Sequence, residues 1–195
     1  GFCHANYVAI KALNLAKEGT RVLVVDFDAH FGDGSQRLIV SALEKNSGLT
    51  EYIRFVNTFI NDGYPFQEGK LYGSNTCEFT QQATRHHTVI YNIPYPPHSR
   101  APIEGPNGIR ETLQKIKDTF TPEITLVSAG ADPFVDEQFI KGSWSSQDFS
   151  HVMTEIAKTA KMVVVTEGGY NRLGLETMAK SVISVLASST KHPNA

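Results

Sequence analysis

Cysteine is scarce in this chain: Cys3 and Cys77 are the only two, and they form no Cys-x-x-Cys pair. That excludes a disulfide scaffold and leads us to expect a reducing compartment, the cytoplasm by default or the nucleus in a eukaryote. No apolar run approaches the roughly 20 residues of a membrane span, and the first residues show no charged-then-apolar signal pattern, so no membrane role is expected. A charge excess is missing too. The 18 Lys and Arg set against 20 Asp and Glu leave −2, which gives no general attraction for nucleic acid, and no direct nucleic-acid binding is expected. Internal repeats, low-complexity tracts and linkers are also absent, so residues 1–195 are read as a single domain. With 41% hydrophobic and 19% charged residues, a chain of this length can bury a sizeable core. Composition leaves oligomerisation open. The chain begins with Gly1 and not Met, which is read as trimming or as a fragment.

The most informative stretch is Arg21 to Gln36, RVLVVDFDAHFGDGSQ. A short β-branched run, Val22-Leu23-Val24-Val25, suits a parallel strand covered on both faces. It stops at Asp26, Asp28, His30 and Asp33, where an α/β fold places its ligands. Side chains alternate along extended backbone, so Asp26, Asp28 and His30 can share one cleft.

Helical spacing predicts helices over Ala5 to Glu18, from Ser35 or Gln36 to Lys45, over Leu49 to Ile60, Gly108 to Phe120, from Ser145 onward, and Leu173 to Ala187. Ser145 with Asp148 resembles a capping box, and Gly19 is placed to end the first helix. Further strands are predicted at Thr88 to Asn92, Ile124 to Val127 and Met162 to Val165. Tyr64 to His86 reads as a long surface loop. Strands alternating with helices imply an α/β three-layer sandwich with a mainly parallel sheet. Three strands end in DFDAHFGDG, SAGADP and EGGYN, so Asp28, His30 and Asp132 are expected to converge. Two carboxylates and an imidazole suit a divalent metal with an open position. Taken singly, each residue has a plainer explanation: an Asp at a strand end is more often a cap, and a Tyr after Gly-Gly is more often packed loop.

Five segments together are similar to the histone deacetylase family, with its acetoin-utilisation-type and acetylpolyamine amidohydrolase relatives: GFCHANYVAIKA, DFDAHFGDGSQ, YNIPYPP, LVSAGADP and VVVTEGGYN. The resemblance covers nearly the whole chain. It implies an arginase/deacetylase-like fold, incomplete at the N-terminus, and a zinc-dependent amidohydrolase acting on acetylated lysine or another acetylated amine. It makes Asp28, His30 and Asp132 the ligands of zinc, or of iron in its place. Tyr170 becomes the residue that polarises the amide carbonyl. Asp26 and Asp33 match carboxylates that orient the family's tandem histidines, and Gly1, Phe2 and Gly168 match substrate-binding positions.

The nearest alternative is an arginase or agmatinase-like ureohydrolase with two manganese ions, but Asp33 is three residues beyond His30, and GADP offers a single carboxylate. A deacetylase-like binding domain without turnover is the other alternative. The tandem histidine pair implied by the resemblance precedes the GFC motif and is not in these 195 residues, so low turnover is expected of this chain. His86-His87 lies on the amino side of its strand and reads as an exposed pair away from the site. Phe31 stands where the family commonly has His, and Asp136-Glu137 where it commonly has Gly-Asp. The family's strand between its HGDG-type and NIP-type motifs is not recognisable within Gly63 to Arg85.

Overall fold

The structure is a computed structural model that describes residues 5–61, 66–67, 70–71, 85–137, 140 and 142–189. Helix α1 (Tyr7–Lys17) begins at Asn6, whose side chain accepts the Ala9 amide at 2.8 Å, and gives way to Gly19 at φ +85°, a left-handed position that Gly adopts without strain. Strand β1 (Val22–Asp26) follows, then α2 (Asp33–Lys45), a 3₁₀ turn (Ser47–Glu51) and β2 (Ile53–Ile60). A small antiparallel pair, β3 (Phe66–Gln67) and β4 (Lys70–Leu71), falls in the segment read as a loop. The remaining elements are β5 (Ile90–Tyr95), α3 (Ile109–Thr119), β6 (Ile124–Ala129), α4 (Ser146–Ala157), β7 (Lys161–Thr166) and α5 (Arg172–Ser189).

The main sheet has the order β5-β2-β1-β6-β7, parallel throughout, with β1 at its centre. Both faces of β1 are covered. Val22 and Val24 join a core with Val8, Ala12 and Leu13 of α1 and Ile39 and Leu43 of α2. Leu23 and Val25 face the opposite way, into a core built with α3, α4 and α5. This is the three-layer α/β sandwich expected, and period-two alternation explains why β1 is apolar at every step. Each fully buried aliphatic side chain contributes about 1.5–3 kcal/mol relative to exposure.

Two expectations need correction. Ile53 to Ile60 is not the end of a helix but strand β2. Its apolar residues Ile53, Val56, Phe59 and Ile60 have helical spacing, yet Phe55 is buried as well, and a short run buried on both faces satisfies either period. Strand β5 runs through Pro94 rather than stopping there. It lies at the sheet edge, where the missing amide costs no ladder bond.

At the other edge, β7 leaves Val163 and Val165 exposed, with Leu173 and Ile183 of α5 exposed nearby in sequence. No helix among the described residues is long and apolar enough to cross a membrane.

Candidate metal centre

The ends of the three adjacent strands β1, β6 and β7 form the site. Strand register sets its floor: Asp26, the last residue of β1, lies opposite Asn57 of β2 and Ser128 of β6, and Asn57 in turn lies opposite Asn92 of β5. Half-buried Asn92 donates to buried Gln36 of α2 at 2.9 Å, so polar side chains at the ends of β1, β2 and β5 lie in a row that reaches α2. Asp26 accepts the Asp28 amide at 3.1 Å. Burial, reinforced by the charge of Asp28, pushes the Asp26 carboxyl well above its ordinary value.

Asp28 turns back over this floor. Its Oδ1 accepts the His30 amide at 2.8 Å and lies 2.8 Å from His30 Nδ1, while Oδ2 accepts the Gly168 amide at 3.0 Å. Asp132, which follows β6, uses Oδ1 to accept the Ala29 amide at 3.2 Å. Its Oδ2 lies 2.7 Å from the same His30 Nδ1. Ligand atoms of Asp28, His30 and Asp132 all fall within 4.8 Å of one another.

Burial pushes the Asp28 carboxyl up, but the hydrogen bonds and charge of His30 outweigh it and hold it below its ordinary value. In Asp132, burial and the charge of Asp28 prevail, raising the carboxyl to about 6. Burial works against charge on His30, yet the two carboxylates lift the imidazole to about 10. The two carboxylates therefore favour positive charge between them.

These donors fit a divalent cation. The single ring nitrogen His30 Nδ1 faces both carboxylates, at 2.8 Å from Asp28 Oδ1 and 2.7 Å from the buried Asp132 Oδ2, so one N–H has to serve two acceptors and satisfies neither fully. A cation would meet the Asp132 oxygen directly, and the donor set of two carboxylates and an imidazole is one that zinc or iron accepts.

Gly130 and Gly168 leave room for the two carboxylates. A Cβ at Gly168 would lie 2.5 Å from Asp132 Oδ2 and 2.6 Å from Asp28 Oδ2. Tyr170, two residues on, is 45% exposed. Burial of the phenol, then the charges of Asp132, Asp28 and Glu137, raise its pKa, so it stays protonated at neutral pH.

Asp26, Asp28, His30, Asp132 and Gly168 are thus brought together, with Tyr170 at the rim. Asp33 opens α2 and lies 3.6 Å from Arg37 Nε on the same helix; the histidine it would orient is not in these residues. Gly1 and Phe2 lie outside the described residues. His86 and His87 precede β5, at the amino end of the sheet. Phe31 is buried edge-on against Phe59, 4.8 Å between ring centroids. Sequence reasoning assigned no role to Glu137, which accepts two amides of the loop carrying Tyr170, or to Asn57. Both act across long sequence separations, and no local pattern marks them.

Fold and site together define a three-layer α/β domain with a candidate metal centre at its carboxyl edge. The sequence model of the histone deacetylase domain matches residues 1–186, and the chain belongs to that family. Similar proteins include "Histone deacetylase 6" of Caenorhabditis elegans, 26% identical over 190 residues, covering 95% of this chain and 19% of that protein. A "Probable deacetylase" of Archaeoglobus fulgidus is 27% identical over 187 residues, covering 88% and 45%. Among solved structures, an acetylpolyamine aminohydrolase from Burkholderia pseudomallei aligns with TM-score 0.71 at 23% identity, covering 97% of this chain and 51% of that one. The HDA15 HD domain aligns with TM-score 0.67 at 22% identity, covering 98% and 53%. These structures share the fold, and the chain spans about half the length of each.

Proposed function

We propose that this chain forms part of a metal-dependent deacetylase that hydrolyses the acyl amide of an acetylated lysine or another acetylated amine, with zinc, or iron in its place, held by Asp28, His30 and Asp132. The observation that carries the proposal is the convergence of those three ligand atoms within 4.8 Å of one another, with the Asp132 carboxylate buried. When bound, such a cation supplies Lewis acidity to the carbonyl and lowers the pKa of a bound water to roughly 7.

The protein's own groups do the rest. Asp28 and Asp132 are held by the amides of His30, Gly168 and Ala29, so little reorganisation is needed as they bind. Asp26 supports the Asp28 backbone from below. The Tyr170 phenol, kept protonated, donates a hydrogen bond to the carbonyl oxygen as negative charge develops on it. The proton-transfer group is assigned to the part of a full-length deacetylase domain that this chain does not span. A one-metal site is favoured over a two-manganese ureohydrolase site because Asp33 is turned to Arg37.

The test is metal content of the purified chain and of the Asp28→Ala, His30→Ala and Asp132→Ala variants, beside deacetylation of an acetyl-lysine peptide by this chain and by a longer form. About one zinc or iron per chain, lost in each variant, and turnover that rises in the longer form are expected. Full occupancy in the three variants would remove the assignment. Bound metal with no turnover in any form would favour a binding domain.

A further inference from the structure

The loop that follows β6 and the loop that follows β7 are strapped together. The Ala131 amide donates to the Gly168 carbonyl at 2.7 Å. Further along, Glu137 sends its carboxylate across: Oε2 accepts the backbone amides of both Tyr170 and Asn171, each at 3.0 Å. The Asn171 side chain answers in the other direction. Its Nδ2 donates to the Asp136 carbonyl at 3.0 Å, and its Oδ1 accepts the amides of Leu173 and Gly174 at the start of α5. Asp136 is at φ +68°, a left-handed turn just before Glu137.

Glu137 is only 9% exposed, although it is a carboxylate in a surface loop. Burying such a group is costly unless it is hydrogen-bonded, and two successive amides at the positive end of an 18-residue helix are suited to offset that cost. Tyr170, by contrast, is 45% exposed and projects from the loop between β7 and α5. Its backbone amide is held by Glu137. The phenol lies within the field of Asp132 and Asp28.

From these contacts we infer that Glu137 is a positioning residue: by gripping the Tyr170 and Asn171 amides it aims the Tyr170 phenol at the Asp28, His30 and Asp132 cluster. Its catalytic consequence rests on the deacetylase reading above; its hold on the loop does not. Glu137→Ala removes the grip. Glu137→Asp keeps the charge but is one methylene short of the same reach, and Glu137→Gln keeps an acceptor oxygen at full reach.

Amide hydrogen exchange on the full chain reads the grip directly. Exchange at Tyr170 and Asn171 should speed by about tenfold or more in Glu137→Ala and Glu137→Asp and stay near the unsubstituted rate in Glu137→Gln. Unchanged exchange in the Ala and Asp variants would overturn the inference, as would a Gln variant as damaged as Ala. Should Glu137→Ala not fold, the Asp and Gln pair still decides. In the form that turns over acetyl-lysine peptide, Glu137→Ala should lower kcat on the order of 10²-fold with metal content and KM little changed, because a displaced catalytic group costs about that much. In a Tyr170→Phe background the same substitution should cost less than about threefold more, because the two act through one hydroxyl. Additive losses would refute action through Tyr170. Absence of turnover in every form would defeat the deacetylase reading alone, and faster exchange would still uphold the grip.

Discussion

Gly168 is the position at which a single methyl group should damage the site most specifically. A Cβ there would stand 2.5 Å from Asp132 Oδ2, 2.6 Å from Asp28 Oδ2 and 3.1 Å from Asp132 Cγ. To reach even 3.0 Å, each oxygen must retreat by about 0.4–0.5 Å. Neither has slack, since Asp28 accepts the Gly168 amide and Asp132 the Ala29 amide. Overpacking of this kind typically costs about 1–3 kcal/mol. For a domain of this size each kcal/mol lowers Tm by about 2–4 °C, so Gly168→Ala should melt about 2–12 °C lower than the unsubstituted chain. Zinc affinity should fall as well, by at least the roughly 10- to 100-fold typical of disturbing groups that orient ligands. Thermal unfolding followed by circular dichroism, with and without zinc, and calorimetric titration of zinc measure both effects. Gly34→Ala is the control: the nearest atom to its Cβ is Asn6 Nδ2 at 3.8 Å, and in the first turn of α2 Ala should be neutral or slightly stabilising. A Gly168→Ala chain with unchanged Tm and zinc affinity would show that the carboxylates do not crowd this glycine, and the described site would be wrong.

Two further perturbations test other parts of the structure. Asp148→Ala should cost about 2–3 kcal/mol, since the buried carboxylate accepts the Ser145 amide at 2.7 Å, the Ser145 hydroxyl at 2.8 Å and Arg100 Nε at 2.7 Å. Burial opposes charge on Asp148, but Arg100 and Ser145 outweigh it and hold the carboxyl below its ordinary 3.8. With the folded pKa depressed, the contribution is complete above the unfolded value of about 4 and disappears as pH falls through the folded one. Urea unfolding from pH 7 to 2 should therefore show a steady gap between parent and variant that closes below about pH 4; a gap constant to pH 2 would contradict this. Trp144→Ala should cost about 3–5 kcal/mol, because the fully buried indole lies against Phe27, Tyr95 and Phe149, with centroids 6.2, 5.8 and 5.4 Å away. Trp144→Phe should retain most of that stability, since Nε1 has no hydrogen-bond partner among the described residues; equal losses for the two variants in equilibrium unfolding would contradict this.

Much of this protein was legible locally. Strand β1 could be read from Val22 to Val25 because a strand covered on both faces must be apolar at every step, and the capping pair of Ser145 and Asp148 because a cap acts within one turn. Asp28 and His30 could be grouped because residues two apart share a face, and Asp132 because α/β sheets gather their strand ends at one edge. Tertiary structure decided the rest. The spacing of Ile53, Val56, Phe59 and Ile60 suits a helix as well as a strand, and only pairing with β1 and β5 makes it β2. Pro94 is tolerated because β5 has a neighbour on one side only, a fact of sheet order. Glu137 reaches Tyr170 across 33 positions. Periodicity and capping act within a few residues and leave their mark on the sequence. Strand order and loop-to-loop hydrogen bonds arise from competition among distant segments for the same partners, and that competition is settled only when the whole sheet has formed.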